Sequence, residues 1–442
     1  MTVVQGSSDP AVPGFPAAPV FSAVTAGRLA ELVGAAGFTG SQVTAIRAVA
    51  EVLPFRTNRY VVEELIDWSA VPDDPIYRLV FPQEDMLPAG DVARIADLLT
   101  RGAAPKEVAA AANAVRRRLN PHPAGQLELN VPRHAGAPLP GMQHKYRETV
   151  LFFPKQGQTC HSYCTYCFRW AQFVGDADLK MASGDIGQLK RYLADHPEVS
   201  NVLFTGGDPM IMRAGVLRRY VEPLLELDQL ESLRIGTKAL SYWPYKFTTD
   251  PDADDMLRLF EEVSRSGKDL SVMAHFSHPR ELRTPVVEQA VRRLRGAGAS
   301  IRTQAPLMRY INDDPAVWSA MWSRQVSMGM VPYYMFVERD TGPQEYFKVS
   351  LADAHDIFRR AYRDVSGLCR TVRGPSMSTT SGKVCVDGVV DVAGEKVFAL
   401  HYIQCRDADA VGRPFYAKFD PAAAWFSELV PAFDGGFPAG AA

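Results

Sequence analysis

From Tyr146 onward the sequence alternates between short apolar runs and stretches of helical period. The runs are Thr149–Pro154, Asn201–Thr205, Leu233–Thr237, Leu270–Phe276, Ser300–Gln304 and Val331–Phe336. Between them lie Asp185–Asp195, Gly215–Leu225, Ala253–Ser266, Pro285–Ala297 and Ala316–Gly329. Six β/α units in order predict a parallel sheet with helices outside it, either a barrel or an open fragment of one. In such sheets chemistry collects where strands end and loops begin. The reactive residues fall there: Cys160 to Cys167 after the first run, Gly206-Gly207-Asp208 after the second and Thr237-Lys238 at the third. His275 and Gln304 end the fourth and fifth, and Glu338-Arg339-Asp340 follows the sixth.

The flanks read differently. Residues 1–20 are small, Pro-rich and almost uncharged, which predicts a disordered lead-in without the basic start or apolar core of a signal peptide. Residues 21–145 carry helical periodicity at Val24–Ala35, Gly40–Val52 and Gly90–Leu119, with Ser41 and Asp91 as expected N-caps. The Pro-rich segment Pro121–Pro140 reads as an extended wrap. Residues 146–350 form the β/α core. Residues 351–442 hold a helix (Leu351–Tyr362), a Gly/Ser/Thr-rich segment (Gly374 to Gly382), Lys383 and a β-rich tail (Val384–Tyr402). They are expected to lie across the sheet's mouth or to form a small lobe. A formal charge of −2 argues against nucleic-acid or membrane-surface partners. No apolar run reaches eighteen residues, and six cysteines, three of them clustered, fit a reducing, cytoplasmic interior.

Cys160, Cys164 and Cys167 are spaced by three residues and then two, close enough to converge on one metal centre. Soft thiolates select iron–sulfur clusters or zinc. Three ligands on a cubane cluster leave one iron open to an outside molecule. Zinc needs a fourth cysteine or histidine, and His161, adjacent to Cys160, is badly placed for it. Three unrelated thiols or a zinc knuckle are the alternatives. Cys369, Cys385 and Cys405 lack metal-ligand spacing and read as buried small hydrophobes. His401 and Tyr402 read as core strand residues.

The CxxxCxxC spacing, with Tyr166 before the last cysteine, resembles the radical SAM superfamily. Within it the chain is similar to the lysine 2,3-aminomutase family nearly end to end. Asp74-Pro75-Ile76-Tyr77-Arg78, Pro140 to Tyr146, Arg234 to Lys238, His275 to Pro279, Arg309 to Asp313 and Pro332-Tyr333-Tyr334 carry the likeness. The resemblance implies a partial (β/α)6 TIM-like radical SAM barrel, with a helical N-terminal region and a C-terminal β-rich extension over its mouth. It implies a [4Fe-4S] cluster on Cys160, Cys164 and Cys167. S-adenosylmethionine (SAM) would sit at the open iron and meet Tyr166, Gly206, Gly207, Asp208, Thr237, His275 and Gln304. It also implies pyridoxal phosphate (PLP) held as a Schiff base on Lys383. Lys145 and Lys238 stand where the family has phosphate-binding arginines, and Ser378-Thr379-Thr380-Ser381 replaces three of its glycines. Arg169 matches the arginine that clamps the substrate carboxylate. Of two aspartates that grip a lysine ammonium, Asp313 keeps the first. At the second a gapless reading places Arg339, and a one-residue shift would place Asp340.

The implied reaction moves an α-amino group to Cβ through SAM-derived radical chemistry. It needs a reducing partner of flavodoxin or ferredoxin type, and a homo-oligomer fits the family. One alternative keeps the scaffold without PLP, as a dehydrogenase, epimerase or rearranging enzyme on a free amino acid. Another is a non-catalytic iron–sulfur or zinc protein.

Overall fold

The computed structural model describes residues 19–126, 128–175, 179–433 and 436–438. The expected disorder of residues 1–20 falls almost wholly outside them. Helices α1 (Ala26–Ala35), α2 (Gly40–Val52), α3 (Ala89–Thr100) and α4 (Pro105–Arg118) build the N-terminal region. Thr39, not Ser41, caps α2, exchanging a capping-box pair with Gln42. The single helix expected over Gly90–Leu119 is two. Gly102 turns the chain at φ +66°, and Pro105 then starts α4 at N1, where its missing N–H costs nothing. Asp91 lies in the first turn of α3 behind the Pro88 cap, and its carboxylate holds Arg118 of α4 at 2.6 Å.

The apolar faces of these helices share one core with Tyr166, Trp170 and Ala171 of the cysteine loop. The N-terminal region also grips that loop through its backbone. Tyr163 N donates to Arg56 O at 2.8 Å, Thr165 N to Leu79 O at 2.9 Å, and buried Asn58 Nδ2 to His161 O at 3.1 Å. Asp74 caps the short helix Pro75–Val80 through Tyr77 N and pairs with Arg280.

Eleven strands form one sheet, laid side by side in chain order. β1 (Met142–Tyr146) is antiparallel to β2 (Thr149–Phe152). β3 (Asn201–Phe204), β4 (Ser232–Thr237), β5 (Asp269–His275), β6 (Ser300–Leu307) and β7 (Val331–Val337) continue parallel to β2, and β8 (Arg373–Ser378) follows parallel to β7. Helices α5 (Ile186–Ala194), α6 (Ala214–Leu225), α7 (Ala253–Arg265), α8 (Pro285–Gly296) and α9 (Pro315–Ser327) connect β2 through β7 in turn. α10 (Leu351–Arg363) leads into β8. Each sequence-predicted run and helix of the core is found within a few residues of its expected place. The fold is a mixed α/β sheet backed by helices, and its main core packs the apolar faces of α5 to α10 against the strands.

The C-terminal segment continues the sheet and packs a core of its own. β9 (Gly382–Val392), β10 (Glu395–Cys405) and β11 (Pro414–Lys418) extend the same sheet antiparallel from β8. The sheet curls until its first strand reaches β8: Lys145 Nζ on β1 donates to Ser378 Oγ on β8 at 3.3 Å, and Tyr146 OH lies 3.0 Å from the same oxygen. Among the described residues no helix is long and apolar enough to cross a membrane.

Candidate active site

Inside the curl lies a cavity of about 280 Å³, lined from every parallel strand between β2 and β7 and from the loops at their C-terminal ends. The three clustered cysteines, Tyr166, Arg169, Gly206, Gly207, Asp208, Thr237, Lys238, His275, Gln304, Arg339, Lys145 and Lys383 all line it. Asp313 and Asp340 do not.

Burial raises all three thiols, Cys167 to about 12, and neighbouring thiols add to the effect at Cys160 and Cys167. Such thiols ionise only onto a metal.

Gly206 and Gly207 make room for the cysteine loop. A Cβ on Gly207 would sit 2.6 Å from Thr159 N and O, and Gly206 takes φ +135° against the Gln158 side chain. Asp208 accepts from Thr237 Oγ1 at 2.7 Å, Lys238 N at 2.9 Å and Met210 N at 2.9 Å. Burial nonetheless pushes its carboxyl up to about 6. His275 Nε2 lies 2.8 Å from Gln304 Nε2, and burial holds the imidazole neutral, down to about 3, so it accepts from the amide. Lys238 is already neutralised by fully buried Glu281, 2.7 Å away. That leaves less charge for a phosphate than the sequence implies.

Lys383 does not ride a flexible loop. It sits in β9, paired with Ser378 on one side and Gln404 on the other. Gly382 precedes it because a Cβ there would meet Gln404 O at 2.4 Å. The Lys383 ammonium lies 3.8 Å from the Tyr334 ring centre, 5.3 Å from Tyr146 and 5.4 Å from Phe336, and donates to Gln404 Oε1 at 3.3 Å. A register shift in β7 beside Tyr333 turns Tyr334 toward the cavity. No carboxylate pairs with Lys383 among the described residues. Burial first, then the charges of Arg234 and Arg373, push its amine well below the usual lysine range. Burial depresses Lys145 similarly, with Arg339 and Lys383 adding repulsion. Ser378 uses its hydroxyl to join Lys145 and Tyr146.

Two guanidiniums share the Phe168 ring. Arg169 lies 4.8 Å and Arg339 5.1 Å from its centre, and Arg169 also covers Phe153 at 4.5 Å. Neither forms an ion pair among the described residues. Arg169 Nη1 and Arg339 Nε and Nη2 are buried with no hydrogen-bond partner, and burial pulls Arg169 down to about 9. Orphaned charged donors of this kind are costly unless an anion meets them. Arg339, not Asp340, faces the cavity; Asp340 turns away, where Asn120 Nδ2 donates to its carboxylate at 3.3 Å. Asp313 is exposed, because its neighbour Asn312 fills the buried turn, bonded to Met308 N and Ser277 O.

The sequence reading missed Tyr146, Arg234, Tyr334, Ser378 and Gln404, which surround Lys383, and Glu281, which holds Lys238. Period-two placement on the strands could have flagged Arg234. The partners on β9 and β10 needed the register.

No protein-family model matches the chain. Among curated proteins, a putative L-lysine 2,3-aminomutase of Aquifex aeolicus is 30% identical over 385 residues, 87% of this chain and 89% of that one. The L-lysine 2,3-aminomutase of Clostridium subterminale is 27% identical over 246 residues, 56% of each chain. The glutamate 2,3-aminomutase of Clostridioides difficile is 26% identical over 209 residues, 47% of each.

Proposed function

The chain belongs to the lysine 2,3-aminomutase family of radical SAM enzymes, and from that premise we propose that it moves the α-amino group of an acidic amino acid to Cβ. Enzymes of this family are isomerases that work with a [4Fe-4S] cluster, SAM and PLP. Cys160, Cys164 and Cys167 would hold the cluster, and the Gly206–Asp208 turn with His275 and Gln304 would hold SAM. Lys383 would hold PLP, with Lys145 and Arg234 as cations for its phosphate. When bound, the cluster and SAM supply a hydrogen-abstracting radical, and PLP supplies a ring that spreads the unpaired electron near the migrating nitrogen. We read the curled β2–β7 sheet as the partial (β/α)6 barrel.

The residues of this chain do the rest. Lys383, whose amine burial pushes well below the usual lysine range, is a nucleophile poised for a carbonyl. Arg169 offers its unpaired Nη1 to the α-carboxylate and orients the Cα–Cβ bond beside the cluster loop. Arg339 offers Nε and Nη2, a two-pronged seat for a second carboxylate. Burial also pushes the Glu338 carboxyl well above the usual range, and it forms no ion pair with Arg339. The likeness to a glutamate 2,3-aminomutase supports the acidic class. The N-terminal helices and the β8–β9 hairpin exclude water from the cavity.

The observation that carries this reading is a buried, acid-free lysine facing the same cavity as three clustered thiols. Anaerobic protein loaded with iron, sulfide and PLP, reduced with borohydride and mapped by peptide, tests it. Pyridoxyl label on Lys383 is expected. An intact cluster with no label would favour radical chemistry without PLP, a reading that the Lys238–Glu281 pair supports.

A further inference from the structure

Outside the cavity, β9 and β10 bring together Cys385 and His401, which the sequence reading treated as inert, with Asp387. His401 sits opposite Cys385 in the strand register, and Asp387 follows Cys385 by two residues. His401 is half-buried, not a core residue, and its Nδ1 lies 2.7 Å from Asp387 Oδ2. One ligand atom from each of Cys385, Asp387 and His401 lies within 4.8 Å of the other two, and no other such trio occurs among the described residues. Zinc bonds of about 2.0–2.3 Å place tetrahedral neighbours roughly 3.5 Å apart, so small side-chain shifts close the site.

We propose that Cys385, Asp387 and His401 bind one zinc ion. Sulfur, imidazole and carboxylate together suit borderline-soft Zn²⁺ better than calcium or magnesium, which take oxygen. On binding, Cys385 releases its thiol proton to solvent, His401 binds as neutral imidazole and Asp387 as carboxylate. The two anionic ligands balance the ion's two charges. Three protein ligands leave a fourth position for water. The imidazole of His355 stands nearby, 3.8 Å from where a Cβ on Gly388 would lie. The ion would tie β9 to β10 two residues beyond Lys383. The proposal stands on these residues alone and is independent of the reaction assigned to the cavity.

The test uses full-length protein with its cluster loaded, incubated with zinc sulfate, desalted and analysed for metals. About one zinc per chain beyond the cluster iron is expected. X-ray absorption at the zinc edge should show one sulfur near 2.3 Å and nitrogen or oxygen near 2.0–2.1 Å. Cys385→Ser, Asp387→Asn and His401→Ala should each cut zinc at least tenfold with iron unchanged. Asp387 is exposed and His401 half-buried, so those two variants guard against misfolding of the buried Cys385 change. The proposal is overturned by less than about 0.1 zinc per wild-type chain. It is equally overturned if all three variants keep wild-type zinc, which would place the metal elsewhere.

Discussion

The two walls of the cavity are built on opposite principles. On the β2–β6 side, the titratable groups beyond the cysteines have found protein partners: Asp208 takes three donors, His275 takes the Gln304 amide, and Lys238 takes Glu281. Glycines let backbone pack on backbone there with no room for a methyl group. On the β7–β9 side, Lys383, Lys145, Arg169 and Arg339 crowd together without one carboxylate in an ion pair among the described residues. Three guanidinium nitrogens there are left without partners. One wall is finished before any ligand arrives. The other stays electrostatically incomplete until anions enter, and folding alone does not relieve its like-charge repulsion.

The contrast can be attacked from both sides. The largest effect belongs to Cys164→Ala, which should abolish cluster assembly and all SAM cleavage together; retained 5′-deoxyadenosine formation would sink the cluster assignment. Lys383→Ala should end amine migration while cluster-dependent SAM cleavage continues, so product and 5′-deoxyadenosine assays part company. Full turnover by that variant would remove Lys383 from the chemistry. Arg339→Gln should raise KM for an acidic amino acid by about 10²-fold, the loss of one desolvated charge pair; an unchanged KM would assign the far end to another residue.

Asp208 gives a pH signature. Its carboxyl is raised from 3.8 to about 6 by burial, so its stabilising contribution is complete below about pH 4 and fades as pH rises through 6. The shift corresponds to about 3 kcal/mol. In SAM-free protein, wild type should lose that much relative to Asp208→Asn between pH 4 and 7. Parallel urea-unfolding curves for the two would mean the carboxyl is not held neutral. The smallest effect, about 1–3 kcal/mol of overpacking, is expected for Gly207→Ala. A lower melting temperature should accompany poorer iron retention, since the methyl group presses on Thr159.

The six β/α units and the cysteine loop were legible because their signals are local: an apolar period, a spacing, a glycine pair. What escaped the sequence depended on pairing across long separations. β1 is five residues long and carried no strand reading of its own until it was found against β2. The Gly/Ser/Thr-rich stretch before Lys383 carries no strand period, yet Ser378 and Lys383 are cross-strand neighbours in a ladder. The α3–α4 break was written in Gly102 and Pro105 but outweighed by the helical period around it. Asp313 and Arg339 show the same limit at the site. Motif position put both at the substrate, whereas the buried turn at Asn312 leaves only Arg339 in the cavity.

A lysine rooted in a sheet interior has a consequence for how it trades one bond for another. With Ser378 and Gln404 flanking it in the ladder, the Lys383 Cα has nowhere to retreat. Only its four-carbon stem swings, between the Tyr334 face and the cavity. Exchange of the group proposed for this amine would then be a side-chain pivot about a fixed root, running on rotamer timescales rather than at the pace of a hinge. The enzyme's slow steps would have to be sought elsewhere, in the arrival and departure of its anions.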